Sequence, residues 1–221
     1  MKYDITFSIY ARELKAAALF ASRDEARYLM NGVLVEIWSK DRILLIGTDG
    51  KTLAFVKSCF GGDVDGIPEL ATGECIRVII PLKMIAEVRS SGSRSLTIGL
   101  SCDGVSVPQI SIKEEFSDVT KTAKAVYGMF KNVRAPVPMP RESKGAPIFF
   151  DPRLMDKFTK AVEMLTIKGS GVIVSKSGPK EDDPIIVSTQ AGGQLYGIIM
   201  PLRMTEEDRK LKACPPRPAW L

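Results

Sequence analysis

Ile5-Thr6-Phe7-Ser8-Ile9 alternates apolar and polar residues at the two-residue period of a half-buried strand. The period then changes. Over residues 12–22, Leu14, Ala17, Ala18 and Ala21 recur at helical spacing, with Arg12, Glu13 and Lys15 elsewhere on the surface. Two β-rich runs follow, GVLVEIWS at 32–39 and RILLIG at 42–47, and the Lys40-Asp41 pair between them predicts a hairpin. Thr48-Asp49-Gly50-Lys51 reads as a tight turn before another run at 52–57. Residues 61–73, rich in Gly, Asp and Pro, read as a loop, after which the pattern restarts. A strand is predicted at 75–80, and Pro81 sits where the first turn of a helix tolerates a missing N–H. Leu82, Ile85 and Val88 share one face of that short helix, and strands follow at 95–100 and 104–113 around the Cys102-Asp103-Gly104 turn.

Residues 114–146 mix charge, proline and glycine and read as a connector with a helical stretch at 121–130. A third cycle begins at Pro147-Ile148-Phe149-Phe150, where Asp151 suits a helix N-cap and Pro152 the first helical position. Leu154, Phe158, Ala161, Val162 and Leu165 form the apolar stripe of the helix, and strands are predicted at 171–175, 184–189 and 194–200. The chain therefore repeats a strand, a helix and several antiparallel strands. The repeat is clearest in VIIPLKMIAEV against IFFDPRLMDKFTKAV. An α+β fold built from such half-modules is expected.

Composition narrows the function classes. The 221 residues are 45% hydrophobic, with apolar material enough for a core in one or two domains. No apolar run approaches the roughly 20 residues that cross a bilayer, and the N-terminal residues lack a signal-peptide core, so a cytoplasmic location away from membranes is expected. Cys59, Cys75, Cys102 and Cys214 form no CxxC pair and read as reduced thiols. There is no histidine, which excludes Ser-His-Asp and Cys-His catalysis within one chain and every His-ligated zinc site. Asp63, Asp65 and Glu69, or Glu181, Asp182 and Asp183, leave Mg²⁺-dependent phosphoryl chemistry open. Both clusters lie in polar loops without a base or a phosphate-cradling glycine motif, so the expectation is a non-enzyme with no cofactor and no metal. An excess of 31 Lys and Arg over 26 Asp and Glu, a net +5, permits nucleic-acid binding without requiring it.

Five pieces of the chain, in order, resemble one family. DEARYLMNGVLVE at 24–36 followed by TDGKTLA at 48–54 is similar to the middle domain of the bacterial DNA polymerase III β sliding clamp, with its R-Y-x-L-N-G opening and T-D-G-x-x-L-A turn. Residues 76–88 continue the resemblance through a strand-to-helix step at Pro81, and GMFKNVRAPVP at 128–138 looks like the segment leading into the family's last domain. YGIIMPLRM at 196–204 is similar to the family's C-terminal ending. The resemblance implies a DNA-clamp fold with a clamp domain at 1–115, a connector at 116–146, a partial clamp domain at 147–204 and a tail at 205–221. Relative to the family, the first domain and half of the last are missing, which puts ring formation in doubt.

The resemblance also implies sites. The family's groove for short linear peptides carries over to Met30, Thr48, Gly50, Lys51, Thr52, Leu53, Pro138, Met200, Pro201, Leu202, Arg203 and Met204. Leucine and methionine there give an adaptable apolar slot, and backbone groups with a polar rim fix orientation. Lys51 and Thr52 replace the family's usual aromatic or histidine and arginine, which implies a different motif preference. Clamp helices touch phosphates through Lys and Arg, which implies Arg12, Lys15, Lys83, Arg89, Arg153, Lys157 and Lys160 here. Glu13, Glu87 and Asp156 on the same helices keep the reading of an ordinary solvated face open. The implied partners are DNA polymerase or repair proteins, double-stranded DNA and further copies of the chain. Three readings stay open: a clamp-like replication accessory, a non-ring mimic or competitor encoded by a mobile element, and a structural oligomerisation module. The proline-rich tail ending in Trp220-Leu221 is a candidate for docking in a groove.

Overall fold

The computed structural model describes residues 2–59, 64–89, 94–126, 128, 130, 132–135, 137, 150–165, 172–178, 180, 182–189 and 194–202. The alternation at the N-terminus forms β1 (Tyr3–Tyr10), whose Ile5, Phe7 and Ile9 are fully buried. Helix α1 (Ala11–Ala18) follows directly. It is shorter than its apolar spacing predicts, because the Phe20 and Ala21 amides donate to carbonyls three residues back and tighten the chain. A 3₁₀ turn at Glu25–Met30 leads into β2 (Gly32–Ser39), β3 (Arg42–Thr48) and β4 (Thr52–Lys57), the predicted hairpin and its neighbour.

The second cycle comprises the short β5 (Val64–Asp65), β6 (Ile76–Pro81), α2 (Leu82–Ala86), β7 (Ser95–Cys102), β8 (Gln109–Glu114) and β9 (Thr120–Lys124). β8 starts later than predicted because the Asp103 carboxylate accepts the amides of Val105 and Ser106 and holds a turn there. Strand β9 overturns the helix expected at 121–130. Thr120 to Lys124 pair residue by residue with Lys113 to Gln109, and the open edge of β8 overrides the helical preference of Lys and Ala. The first sheet thus runs past residue 115 into the span read as connector. The third cycle supplies α3 (Pro152–Leu165), β10 (Val172–Lys176), β11 (Ile185–Thr189) and β12 (Leu195–Ile199). Asp151 caps α3 as predicted, its carbonyl accepting the Leu154 amide. Residues 147–149 of the strand predicted before α3 lie outside the described residues.

Among the described residues all strand pairing is antiparallel and falls into two sheets. One has the order β5-β1-β7-β8-β9, the other β10-β11-β12-β4-β3-β2-β6. The first two cycles exchange strands: β1 joins β7 of the second cycle, and β6 joins β2 of the first. The third cycle joins them through β12, which pairs with β4 from Leu195 opposite Val56 to Ile199 opposite Thr52.

The junction is packed as well as hydrogen-bonded. Phe158 of α3 is fully buried against Phe20, their rings edge to face at 4.7 Å. Glu13 of α1, also fully buried, accepts hydrogen bonds from Ser58 Oγ (2.9 Å), the Cys59 amide (2.9 Å) and Gln194 Nε2 (3.2 Å). One side chain therefore ties α1, the end of β4 and the approach to β12, as a buried polar group requires. Gly197 lets β12 lie under α3, since a β-carbon there would sit 2.1 Å from Phe158 Cε1. Gly197→Ala is expected to overpack this junction and cost about 1–3 kcal/mol, read as a lowered melting temperature.

Candidate peptide-binding surface

The Thr48–Thr52 turn is built by short side chains bonding to their own backbone. Thr48 Oγ1 donates to the Thr52 carbonyl at 2.7 Å and accepts the Gly50 amide at 3.1 Å. One Asp49 carboxylate oxygen accepts from the amides of Lys51 (2.9 Å) and Thr52 (2.7 Å) and from the Thr52 hydroxyl (2.9 Å). Gly50 has φ 86°, a left-handed conformation that glycine adopts without strain. The turn is anchored on two sides. Arg27 donates to the Asp49 carbonyl at 2.9 Å, and Lys157 of α3 donates to the other Asp49 carboxylate oxygen at 2.6 Å.

This geometry aligns the turn with the chain leaving β12. Leu53 lies opposite Ile198, and the Met200 amide donates to the Lys51 carbonyl at 2.9 Å. Met30 is half-buried beside Gly50, where an added β-carbon would sit 4.0 Å from its sulfur. Met200 and Leu202 are exposed at 40% and 46%. Leu53 belongs to an apolar cluster with Leu34, Ile46, Ile79, Val133 and Ile198, on the face of the seven-stranded sheet away from the helices.

Of the residues the resemblance implies for a groove, Met30, Gly50, Lys51, Leu53, Met200, Pro201 and Leu202 are thus brought to one junction. Thr48 and Thr52 are buried and shape the turn from within. Pro138, Arg203 and Met204 lie outside the described residues.

The basic residues considered for phosphate contact are differently disposed. On α3 each is paired with a carboxylate: Arg153 with Asp151 (2.8 Å), Lys157 with Asp49 (2.6 Å) and Lys160 with Asp156 (2.6 Å). Arg12 lies over the Tyr10 ring, with its guanidinium carbon 4.8 Å from the centroid, Lys15 is half-buried, and Lys83 and Arg89 are exposed. Among the described residues no group of three His, Cys, Asp or Glu is placed to hold a metal ion; Asp63 and Glu181 lie outside them. No helix of the described residues is long and apolar enough to cross a membrane.

A second cluster was not anticipated. Glu36 is buried on the same outer face as Leu34, and both its oxygens are used by Arg134 (2.9 and 2.5 Å), with Arg77 and the Trp38 indole at 3.1 Å each. Burial penalises its charge, but the two guanidinium groups and the indole outweigh this and hold its pKa below the ordinary glutamate value. Beside it lies a cavity of about 1030 Å³ walled by Leu34, Ile79, Pro108, Phe130, Val133 and Arg134. The signal in the sequence was a lone carboxylate inside the apolar run GVLVEIWS.

Asp49 makes the junction sensitive to acid. Burial raises its pKa, but Lys157 and the Thr52 and Lys51 amides overcome that and hold it below the usual carboxylate range. A carboxylate with a depressed folded pKa contributes stability above its unfolded pKa and loses it as pH falls through the folded one. Urea melts at descending pH are therefore expected to show a loss between about pH 5 and pH 2 that Asp49→Asn reduces. Lys157→Met is expected to cost about 1–2 kcal/mol at neutral pH.

No protein-family model and no curated protein matches the sequence. Solved structures do match. The DNA polymerase III β subunit of Thermotoga maritima superposes with a TM-score of 0.62 at 16% identity, over 91% of this chain and 66% of that one. The sliding clamp of Bartonella birtlesii, solved bound to griselimycin, gives 0.65 at 16% identity, over 92% and 67%. The clamp of Bacillus subtilis gives 0.58 at 16% identity, over 90% and 64%. The chain spans about two thirds of the length of each of these clamps. With two antiparallel sheets, strand-exchanged cycles and helices packed on them, this chain has the fold of the bacterial DNA polymerase III β sliding clamp.

Proposed function

We infer that the chain is a sliding-clamp-like accessory protein of DNA replication, a non-enzyme that docks short peptide segments of polymerase or repair proteins at the β4–β12 junction. One observation carries this reading. The pairing of β12 with β4 sets the exposed Met200 and Leu202 beside Met30, Gly50 and Leu53, where the turn backbone is held rigid by Thr48 and Asp49. Flexible thioethers over an apolar floor accept leucine or phenylalanine anchors, and the charged Lys51 at the edge favours an acidic or carboxylate-bearing flank.

A DNA-contacting role for the helices draws less support from the geometry. The three cations of α3 already have aspartate partners, so phosphate binding there would compete with existing ion pairs.

A fluorescent peptide of the Gln-Leu-x-Leu-Phe type tests the reading directly. Binding in anisotropy titrations is expected, with Met200→Ala and Leu53→Ala each weakening it about tenfold. Failure of the unaltered chain to bind, or binding indifferent to both substitutions, would overturn it.

A further inference from the structure

β6 closes the order of the seven-stranded sheet, with β2 on one side and no strand of the described residues on the other. In an antiparallel ladder the N–H and C=O of one residue point the same way, and successive residues alternate between the two sides. The Ile79 carbonyl accepts the amide of Val126, which lies outside β2. The backbone groups of Ile79 and Arg77 therefore point away from β2, and those of Val78 point toward it. Among the described residues the Ile79 N–H and both backbone groups of Arg77 have no partner. Ile79 is only 3% exposed, and an amide withdrawn from water without a partner is rare in folded proteins.

Two cavities flank this open stretch. The cavity of about 1030 Å³ beside Glu36 is bordered along the strand by Arg77, Val78 and Ile79. A second, of about 530 Å³, continues from Arg77 past Ile76 and Cys75 to Tyr3 and Leu70. Charge at the edge selects what can approach. Arg134 uses both Glu36 oxygens, and Arg77 gives Glu36 only its Nε, so the terminal nitrogens of the half-exposed Arg77 have no partner among the described residues. Arg42 and Arg134 both lie over the Trp38 ring, at 4.8 and 5.1 Å from its centroid. Three guanidinium groups thus surround one carboxylate, and Glu74, just before the strand, lines only the smaller cavity. Arg77 and Ile79 lie opposite Glu36 and Leu34 and share the outer face with them. A strand added beside β6 would keep that alternation. Its residue next to Arg77 meets the guanidinium, and the residue two positions along meets the apolar wall of Ile79, Phe130 and Val133.

We propose that the open edge of β6 from Arg77 to Ile79 docks an extended acidic peptide of another protein. The peptide adds as a strand, sets a glutamate or aspartate against Arg77, and places an apolar residue two positions away in the larger cavity. The occupant is a peptide because N–H and C=O groups spaced along a strand are matched by another main chain. It is acidic because the guanidinium groups outnumber the carboxylate they surround, and an arginine fork pairs best with a carboxylate. The site is separated from the β4–β12 surface by β3 and β2, and binding at one does not require the other.

The symmetric peptide Thr-Leu-Thr-Glu-Thr-Leu-Thr presents the same side chains to the edge whichever way it runs. Labelled with fluorescein, it is expected to bind the full chain in anisotropy titrations and to slow hydrogen exchange at the Arg77 and Ile79 amides. Arg77→Gln in the protein, or glutamine for glutamate in the peptide, is expected to weaken binding about tenfold. The two changes together should weaken it little further, since they remove one contact. Should Arg77→Gln melt early, the glutamine peptide on the unaltered chain decides. An unlabelled Gln-Leu-x-Leu-Phe peptide is not expected to displace the probe, which keeps this test apart from that of the β4–β12 surface. No binding of the probe, binding without protection of the Arg77 and Ile79 amides, indifference to the loss of charge, or displacement by the second peptide would overturn the proposal.

Discussion

The ladder between β4 and β12 is what joins the third cycle to the first two. Without it the third cycle is a helix on three strands, with an apolar face that has no partner. With it, a seven-stranded sheet runs from β10 to β6, and both of its faces acquire a role. On the helix side, α3 packs Phe158 against Phe20, and Glu13 gathers donors from the ends of β4 and β12. On the other side, Leu53 and Ile198 become neighbours, and the Thr48–Thr52 turn is brought beside Met200. The candidate surface is a consequence of the seam. It has no existence on either part alone.

Charge holds the surroundings of that seam by the same logic in two places. Asp49 and Glu36 are both largely withdrawn from water, and each is kept ionised by several donors rather than one. Asp49 joins a turn to a helix 108 residues away in sequence through Lys157. Glu36, 98 residues from Arg134, pins the segment after β9 over the outer face of the sheet, where Val133 and Phe130 cover Leu34 and Ile79. These pairs fix where irregular chain lies on a regular sheet, which hydrophobic burial alone does not specify.

Much of the fold was legible in the sequence because its signals are local. The two-residue period of β1, the hairpin at Lys40-Asp41 and the Asp151-Pro152 start of α3 each depend on neighbours within a few residues. The failures were long-range. Thr120–Lys124 has no strong strand preference and becomes β9 only because β8 offers an edge. α1 stops early because its last turn tightens beneath the 3₁₀ segment, the Ser22 amide donating to the Met30 carbonyl. Of the candidate site, the family resemblance located the turn and the residues after β12, but it could not separate Thr48 and Thr52, which work inside the turn, from Met200 and Leu202, which face water. Nor did helical spacing reveal that Lys157 has a partner in Asp49, since the two are joined only by the fold.

Native-state hydrogen exchange, read residue by residue across β4 and β12, tests the seam most directly. The amides of Leu195 to Ile199 that pair with β4 are expected to exchange as slowly as those joining β3 to β4 and to open together with them, as one cooperative sheet. Fast exchange along β12, with β4 protected only on its β3 side, would show the third cycle to be detached and would contradict both the continuous sheet and the surface built on it.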